Sequence, residues 1–97
     1  ERQQFEIWKP NRQVRTVPGG WTLRIQRPQP FHLRWSADDW ESSDEIEATG
    51  TALGIFFADL PAPSEDAAQK RAFSFTFYYP EEDSWEGQKY RVIIEDV

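Results

Sequence analysis

The sequence predicts an all-β fold, an antiparallel β-sandwich of immunoglobulin-like type with six to seven strands. Three observations predict it. Apolar and polar residues alternate with a period of two in one run after another. Turn-forming residues punctuate these runs at roughly 10-residue spacing. No stretch sustains a helical period.

Each element can be justified in chain order. Phe5-Glu6-Ile7-Trp8 and the short Val14–Val17 segment are candidate edge strands. Trp21, Leu23 and Ile25 face one way while Thr22, Arg24 and Gln26 face the other. Phe31, Leu33 and Trp35 alternate with His32 and Arg34. Leu53, Ile55 and Phe57 form a third apolar row, and Phe56 on the opposite face implies a strand covered on both sides. Phe73, Phe75, Phe77 and Tyr79 form a fourth row, with Thr76 and Tyr78 opposite, and Tyr90, Val92 and Ile94 form a fifth. Turn chemistry separates the runs at Lys9-Pro10-Asn11, Pro18-Gly19-Gly20, Pro28-Gln29-Pro30, Ala37-Asp38-Asp39 and Pro61-Ala62-Pro63. Residues 63–71 read as a polar loop with a helical turn, and the acidic stretch Asp38–Glu47 as a solvated loop.

At 97 residues the chain is expected to be a single domain, residues 1–97, whose high aromatic content of 15% supplies the core without metal or disulfide support. There is no cysteine, so cysteine usage says nothing of compartment. A net charge of −6 argues against nucleic acid and against anionic membrane surfaces as partners. No run has the length of a membrane-spanning helix, and the N-terminus does not have the form of a signal peptide. Methionine is absent even at position 1, so the expectation is a module of something larger.

The chemistry-bearing residues point away from catalysis. Adjacent carboxylates at Asp38-Asp39 and Glu81-Glu82 lie in turns, whereas a glycosidase pair must flank a substrate across a cleft. His32 is the only histidine, so no His/Cys metal cluster can form, and no calcium-loop spacing is present. Ser36, Ser42 and Ser43 lack a nucleophile context, and Gly19-Gly20 is not a phosphate loop. Neither enzyme activity nor a cofactor is expected of this chain.

The tryptophans carry more information. Trp21 and Trp35 share faces with aliphatic neighbours and are expected in the core; Trp8, beside an edge strand, stays unassigned. Trp40 and Trp85 sit in the acidic turns Asp38-Asp39-Trp40-Glu41 and Asp83-Ser84-Trp85-Glu86. Each can be a stacking platform for a sugar or partner surface, or a lid folded over one end of the sandwich.

The order of these pieces resembles a known family. Trp8-Lys9-Pro10-Asn11-Arg12, Pro18-Gly19-Gly20-Trp21-Thr22-Leu23-Arg24-Ile25 and Leu33-Arg34-Trp35-Ser36-Ala37-Asp38-Asp39-Trp40 are similar to the C-terminal region of bacterial glucoamylase-like proteins of glycoside hydrolase family 15. Thr51-Ala52-Leu53-Gly54-Ile55, Asp59-Leu60-Pro61, Phe75-Thr76-Phe77-Tyr78-Tyr79-Pro80-Glu81 and Trp85-Glu86-Gly87 continue the likeness over nearly the whole chain. The resemblance implies a parent enzyme that releases glucose from α-glucan ends, with its catalytic glutamates upstream in an (α/α)6 barrel. The turn Trp85-Glu86-Gly87-Gln88 before Tyr90 also resembles the Trp-Asp-Asn-Asn turn of starch-binding sandwich modules, although its sugar-binding asparagines are replaced here.

The expectation is therefore a non-catalytic accessory domain that binds starch or α-glucan through Trp40 and Trp85, with Trp35, Tyr78, His32 and Gln88 contributing. The rival expectation is a structural domain that packs on the catalytic domain of the parent chain or mediates oligomerisation, with both turn tryptophans in that interface.

Overall fold

The computed structural model describes residues 4–62 and 72–95, so the expected loop over 63–71 lies outside the described residues. The described chain is all-β. In order the strands are β1 (Phe5–Trp8), β2 (Thr16–Pro18), β3 (Thr22–Arg27), β4 (His32–Ser36), β5 (Asp44–Glu47), β6 (Thr49–Gly50), β7 (Phe56–Pro61), β8 (Ala72–Tyr79), β9 (Ser84–Trp85) and β10 (Tyr90–Glu95). They build one sheet of order β1-β3-β7-β6 and a second of order β2-β10-β8-β4-β5, with β9 also on β8. This is the immunoglobulin-like division, an A-B-E-D sheet packed on a G-F-C sheet. Pairing is antiparallel except at two edges, where β1 runs parallel to β3 and β2 parallel to β10.

The core forms where the inward rows of the two sheets meet. Leu23 and Ile25 of β3 and Ala58 and Leu60 of β7 face Phe73, Phe75 and Phe77 of β8, Leu33 of β4 and Val92 of β10, all buried. Trp8 proves to be a core residue at 1% exposure. Its indole makes edge contacts with Phe75 at 5.3 Å and Tyr90 at 4.9 Å and a tilted contact with Phe77 at 5.6 Å. Aromatic pairs of this geometry add about 0.5–1.5 kcal/mol each beyond the area they bury.

Two expectations are corrected. The row Leu53, Ile55, Phe57 does not face the core: Leu53 is 85% exposed and Ile55 is exposed. Both lie in the turn between β6 and β7, where Gly54 at φ 77° lets the chain reverse and the Thr51 N–H donates to the Ile55 carbonyl at 2.9 Å. The inward row of β7 is shifted by one residue, to Phe56, Ala58 and Leu60. The acidic stretch is also not all loop. Asp44–Glu47 pairs with β4 as an edge strand because Ile46 packs against the core while its acidic neighbours stay wet.

The outer face of the first sheet carries Arg24. Its guanidinium lies 4.3 Å from the Phe5 ring centroid and 4.2 Å from that of Phe57, and it makes two bonds to Asp59 at 2.9 and 3.0 Å. The carboxylate holds the Arg24 pKa above its ordinary value, chiefly through these bonds and against some desolvation. This stack joins β1, β3 and β7 across their solvent side.

Candidate functional site

The outer face of the second sheet collects three of the six residues singled out from the sequence, His32, Tyr78 and Trp85. Strand alternation puts His32 and Arg34 of β4 and Thr76 and Tyr78 of β8 on this side. Register then aligns Glu47, His32, Tyr78 and Trp85 as one cross-strand row, since Glu47 pairs with His32, His32 with Tyr78 and Tyr78 with Trp85. Three interstrand steps give this row a length of about 14 Å.

The aromatic rings of the row are in contact. Tyr78 and Trp85 have centroids 5.1 Å apart and His32 and Tyr78 5.8 Å apart. Arg34 stands 5.6 Å from the Trp85 centroid. Glu45, from β5, reaches both outward side chains of β4: its Oε2 is 3.1 Å from His32 Nδ1 and its Oε1 is 3.7 Å from Arg34. The Tyr78 hydroxyl donates to Asp83, and the pKa of this phenol is raised mainly by that bond. Trp85 is 49% exposed, so a flat apolar ring with flanking donors and acceptors is presented to solvent.

The hairpin that carries Trp85 is held from beneath. The Glu86 N–H donates to the Phe77 carbonyl at 2.9 Å. The Glu86 side chain turns the other way and accepts the hydroxyls of Tyr79 at 2.5 Å and Tyr90 at 2.7 Å, with Arg27 at 3.9 Å. Arg27 itself lies 4.6 Å from the centroid of the Phe77 ring and 5.3 Å from that of Tyr79. The Tyr79 bond foremost, then that from Tyr90, keeps the Glu86 carboxyl below its ordinary range. Burial foremost, then the Glu86 bond, pushes Tyr90 up to about 12 and Tyr79 well above the usual phenol. Neither the inward latch nor its arginine was found from the sequence; the Trp-Glu-Gly box was the one local signal, and its partners are distant.

Trp40 lies away from the row. The Ser36 hydroxyl accepts the backbone N–H of Asp38 at 3.2 Å and of Trp40 at 2.9 Å, and donates to Asp38 at 2.7 Å. Ser42 adds bonds from its N–H at 2.9 Å and its hydroxyl at 2.6 Å, and together they lower the Asp38 pKa to about 2. This network holds Asp39 and Trp40 at positive φ, 61° and 71°. The Trp40 ring is half-buried, with the Lys89 ammonium 5.2 Å from its centroid. Gln88 enters the outer face through its backbone, whose carbonyl accepts the Thr76 hydroxyl at 2.9 Å.

Trp35 stands apart from the row as well. It is on the inner side of β4, edge-on to Phe73 at 5.8 Å, and its buried indole N–H has no hydrogen-bond partner among the described residues. It packs against the core, as does Trp21. No family model, curated protein or solved structure matches the chain.

Proposed function

We propose that this chain is a non-catalytic accessory domain of a glucoamylase-like hydrolase and that it binds α-glucan on the outer face of the second sheet. The observation that carries the reading is Trp85, a half-exposed indole in a row with Tyr78 and His32 and flanked by Arg34 and Glu45. The apolar face of a glucose ring stacks on an indole, while its equatorial hydroxyls need donors and acceptors at the rim, which Arg34, His32 and Glu45 offer. The surface is shallow, so the affinity is weak, millimolar to micromolar, about −4 to −8 kcal/mol.

The test is titration of the chain with maltoheptaose, followed by tryptophan fluorescence and by NMR. Signals of Trp85 and Tyr78 are expected to move and saturate, and Trp85→Ala is expected to weaken binding by about tenfold or more, roughly 1.4 kcal/mol. If millimolar sugar leaves Trp85 unmoved, the glucan reading fails.

A second reading, docking on the catalytic domain of the parent chain, is favoured by a separate observation. An open hollow of about 300 Å³ at the end of β3 is walled by Pro10, Pro28, Ile55 and the stem of Arg27, with Leu53 bare on the adjoining turn. This hollow is built on the first sheet, so docking there leaves the Trp85 row open.

A further inference from the structure

The geometry points to a second site, an anion groove between the chain leading into β2 and the start of β10, which we infer takes a phosphoryl group carried on a sugar. The groove has a volume of about 360 Å³, and its polar lining is Gln13, Arg15, Gln88, Lys89, Arg91 and the edge of Tyr90. Three cations therefore line one hollow of a chain whose net charge is −6, and no carboxylate shares that lining.

The pairing pattern elsewhere makes this grouping informative. Outside the groove Arg12, Arg24, Arg27 and Arg34 each have a carboxylate within 4 Å, and among the described cations there only Lys9 has none. Arg15, Lys89 and Arg91 have none among the described residues. Arg91 also borders the hollow beneath the Asp38–Glu41 turn, which Asp38, Asp39 and Glu41 line as well, although none of these carboxylates comes within 4 Å of it, so Arg15 and Lys89 are the cations that face the groove alone. Like charges drawn into one hollow repel one another unless an anion sits among them. Lys89 is kept in place by its contact with the Trp40 ring.

The donor set selects the ligand. Two guanidinium groups and an ammonium, one from the chain before β2 and two from the start of β10, suit an anion with several oxygens better than a single carboxylate. The Gln13 amide nitrogen donates to the Pro10 carbonyl at 3.1 Å, which leaves its oxygen free to accept a sugar hydroxyl. Gln88 borders both surfaces: it is part of the groove's lining, and its carbonyl accepts the Thr76 hydroxyl next to the Trp85 row. A phosphorylated glucan lying on that row can thus turn its phosphoryl group into the groove. This last step rests on the glucan reading; the phosphoryl site itself does not.

The test is an NMR titration of the 97-residue chain at fixed ionic strength with glucose 6-phosphate, inorganic phosphate and glucose in parallel. Glucose 6-phosphate is expected to give saturable shifts at Arg15, Gln88, Lys89 and Arg91, inorganic phosphate weaker shifts at the same residues, and glucose none there. Equal shifts from the two phosphates would assign the site to free phosphate and overturn the sugar part of the inference. The double variant Arg15→Gln/Lys89→Gln is expected to lose about tenfold in affinity or more with an unchanged unfolding midpoint. Absence of saturable shifts with either phosphate at about 50 mM, or an unaltered response in the double variant, overturns the site. A silent groove with Trp85 still responding to maltoheptaose rejects this inference alone, and the converse result rejects the glucan reading alone.

Discussion

Replacing Glu86 by glutamine tests whether the latch beneath the Trp85 hairpin contributes the stability its geometry implies. The carboxylate accepts two phenol hydroxyls, at 2.5 and 2.7 Å, and is the only carboxylate near Arg27 among the described residues. Glutamine keeps the volume and one acceptor oxygen, so it retains one of the two phenol bonds. The other phenol must turn from donor to acceptor of the amide N–H, a weaker neutral bond, and the Arg27 charge loses its partner while its Nε is already without one among the described residues. Leaving a buried partner of a charged group unsatisfied costs about 1.5–3 kcal/mol. A loss of about 2–3 kcal/mol follows, or a midpoint lower by about 10 °C or more for a domain of this size. Urea unfolding followed by tryptophan fluorescence measures it. The pH dependence carries a second signature. Because the folded Glu86 pKa is depressed, its contribution is present above the ordinary carboxylate range and is lost as pH falls through the lower folded value. The variant should therefore show a flatter stability curve under acid. A cost below about 0.5 kcal/mol with an unchanged acid limb would refute the latch.

Two further outcomes follow from the same structure. Folded phenols with raised pKa values stabilise fully below the ordinary tyrosine range and lose that contribution as pH rises, so unfolding in alkali is expected as pH climbs through about 12, the value for Tyr90. An absorbance titration of phenolate formation should show these groups ionising together with loss of the fold, and early, gradual ionisation would contradict their burial. At Gly50 an added methyl would sit 2.7 Å from Cε2 of Phe56, whose ring must then shift, so Gly50→Ala is expected to cost about 1–3 kcal/mol in thermal unfolding.

The sandwich was legible because each long strand has one apolar face, and a two-residue period says which. Legibility failed where that signal is degenerate. Phe56 and Phe57 are adjacent rings, so the alternation allows two registers, and only the turn from Thr51 to Ile55 decides that Phe56 faces inward. The strand β5 was missed because its one apolar anchor, Ile46, is outnumbered by carboxylates. On the candidate site, alternation correctly placed His32, Thr76 and Tyr78 outward, while the joining of Trp85 to them depends on the tight turn at Pro80–Asp83. The latch and the cation groove were not legible at all. Arg27 and Glu86, or Arg15 and Lys89, are far apart in sequence, and only the packing of the sheets and the parallel β2–β10 pair bring them together.

Glu86 and Trp85 are consecutive residues with opposite tasks, and that opposition bears on what the exposed indole is for. The inward carboxylate, the β9 pairing with Tyr78 and Tyr79, and the Glu86 bond to Phe77 all fix the hairpin. Gly87, at φ 83° with open space around it, then lets the chain turn away toward Gln88. The indole is therefore held outward by a rigid support rather than left on a loose loop. Holding a large apolar ring in water costs free energy, and fixing it forgoes the entropy a mobile turn would keep. Both costs are recovered when a ligand stacks on a surface that needs no further ordering, since the immobilisation penalty has then been met in folding. The ring rests partly on the sheet, against Tyr78 and Arg34, and leaves about half of its surface open, where a full lid would be covered as Trp8 is from within. On the proposed reading, the half of the Trp85 ring left open is what a sugar ring would cover, with Arg34, His32 and Glu45 as its polar rim.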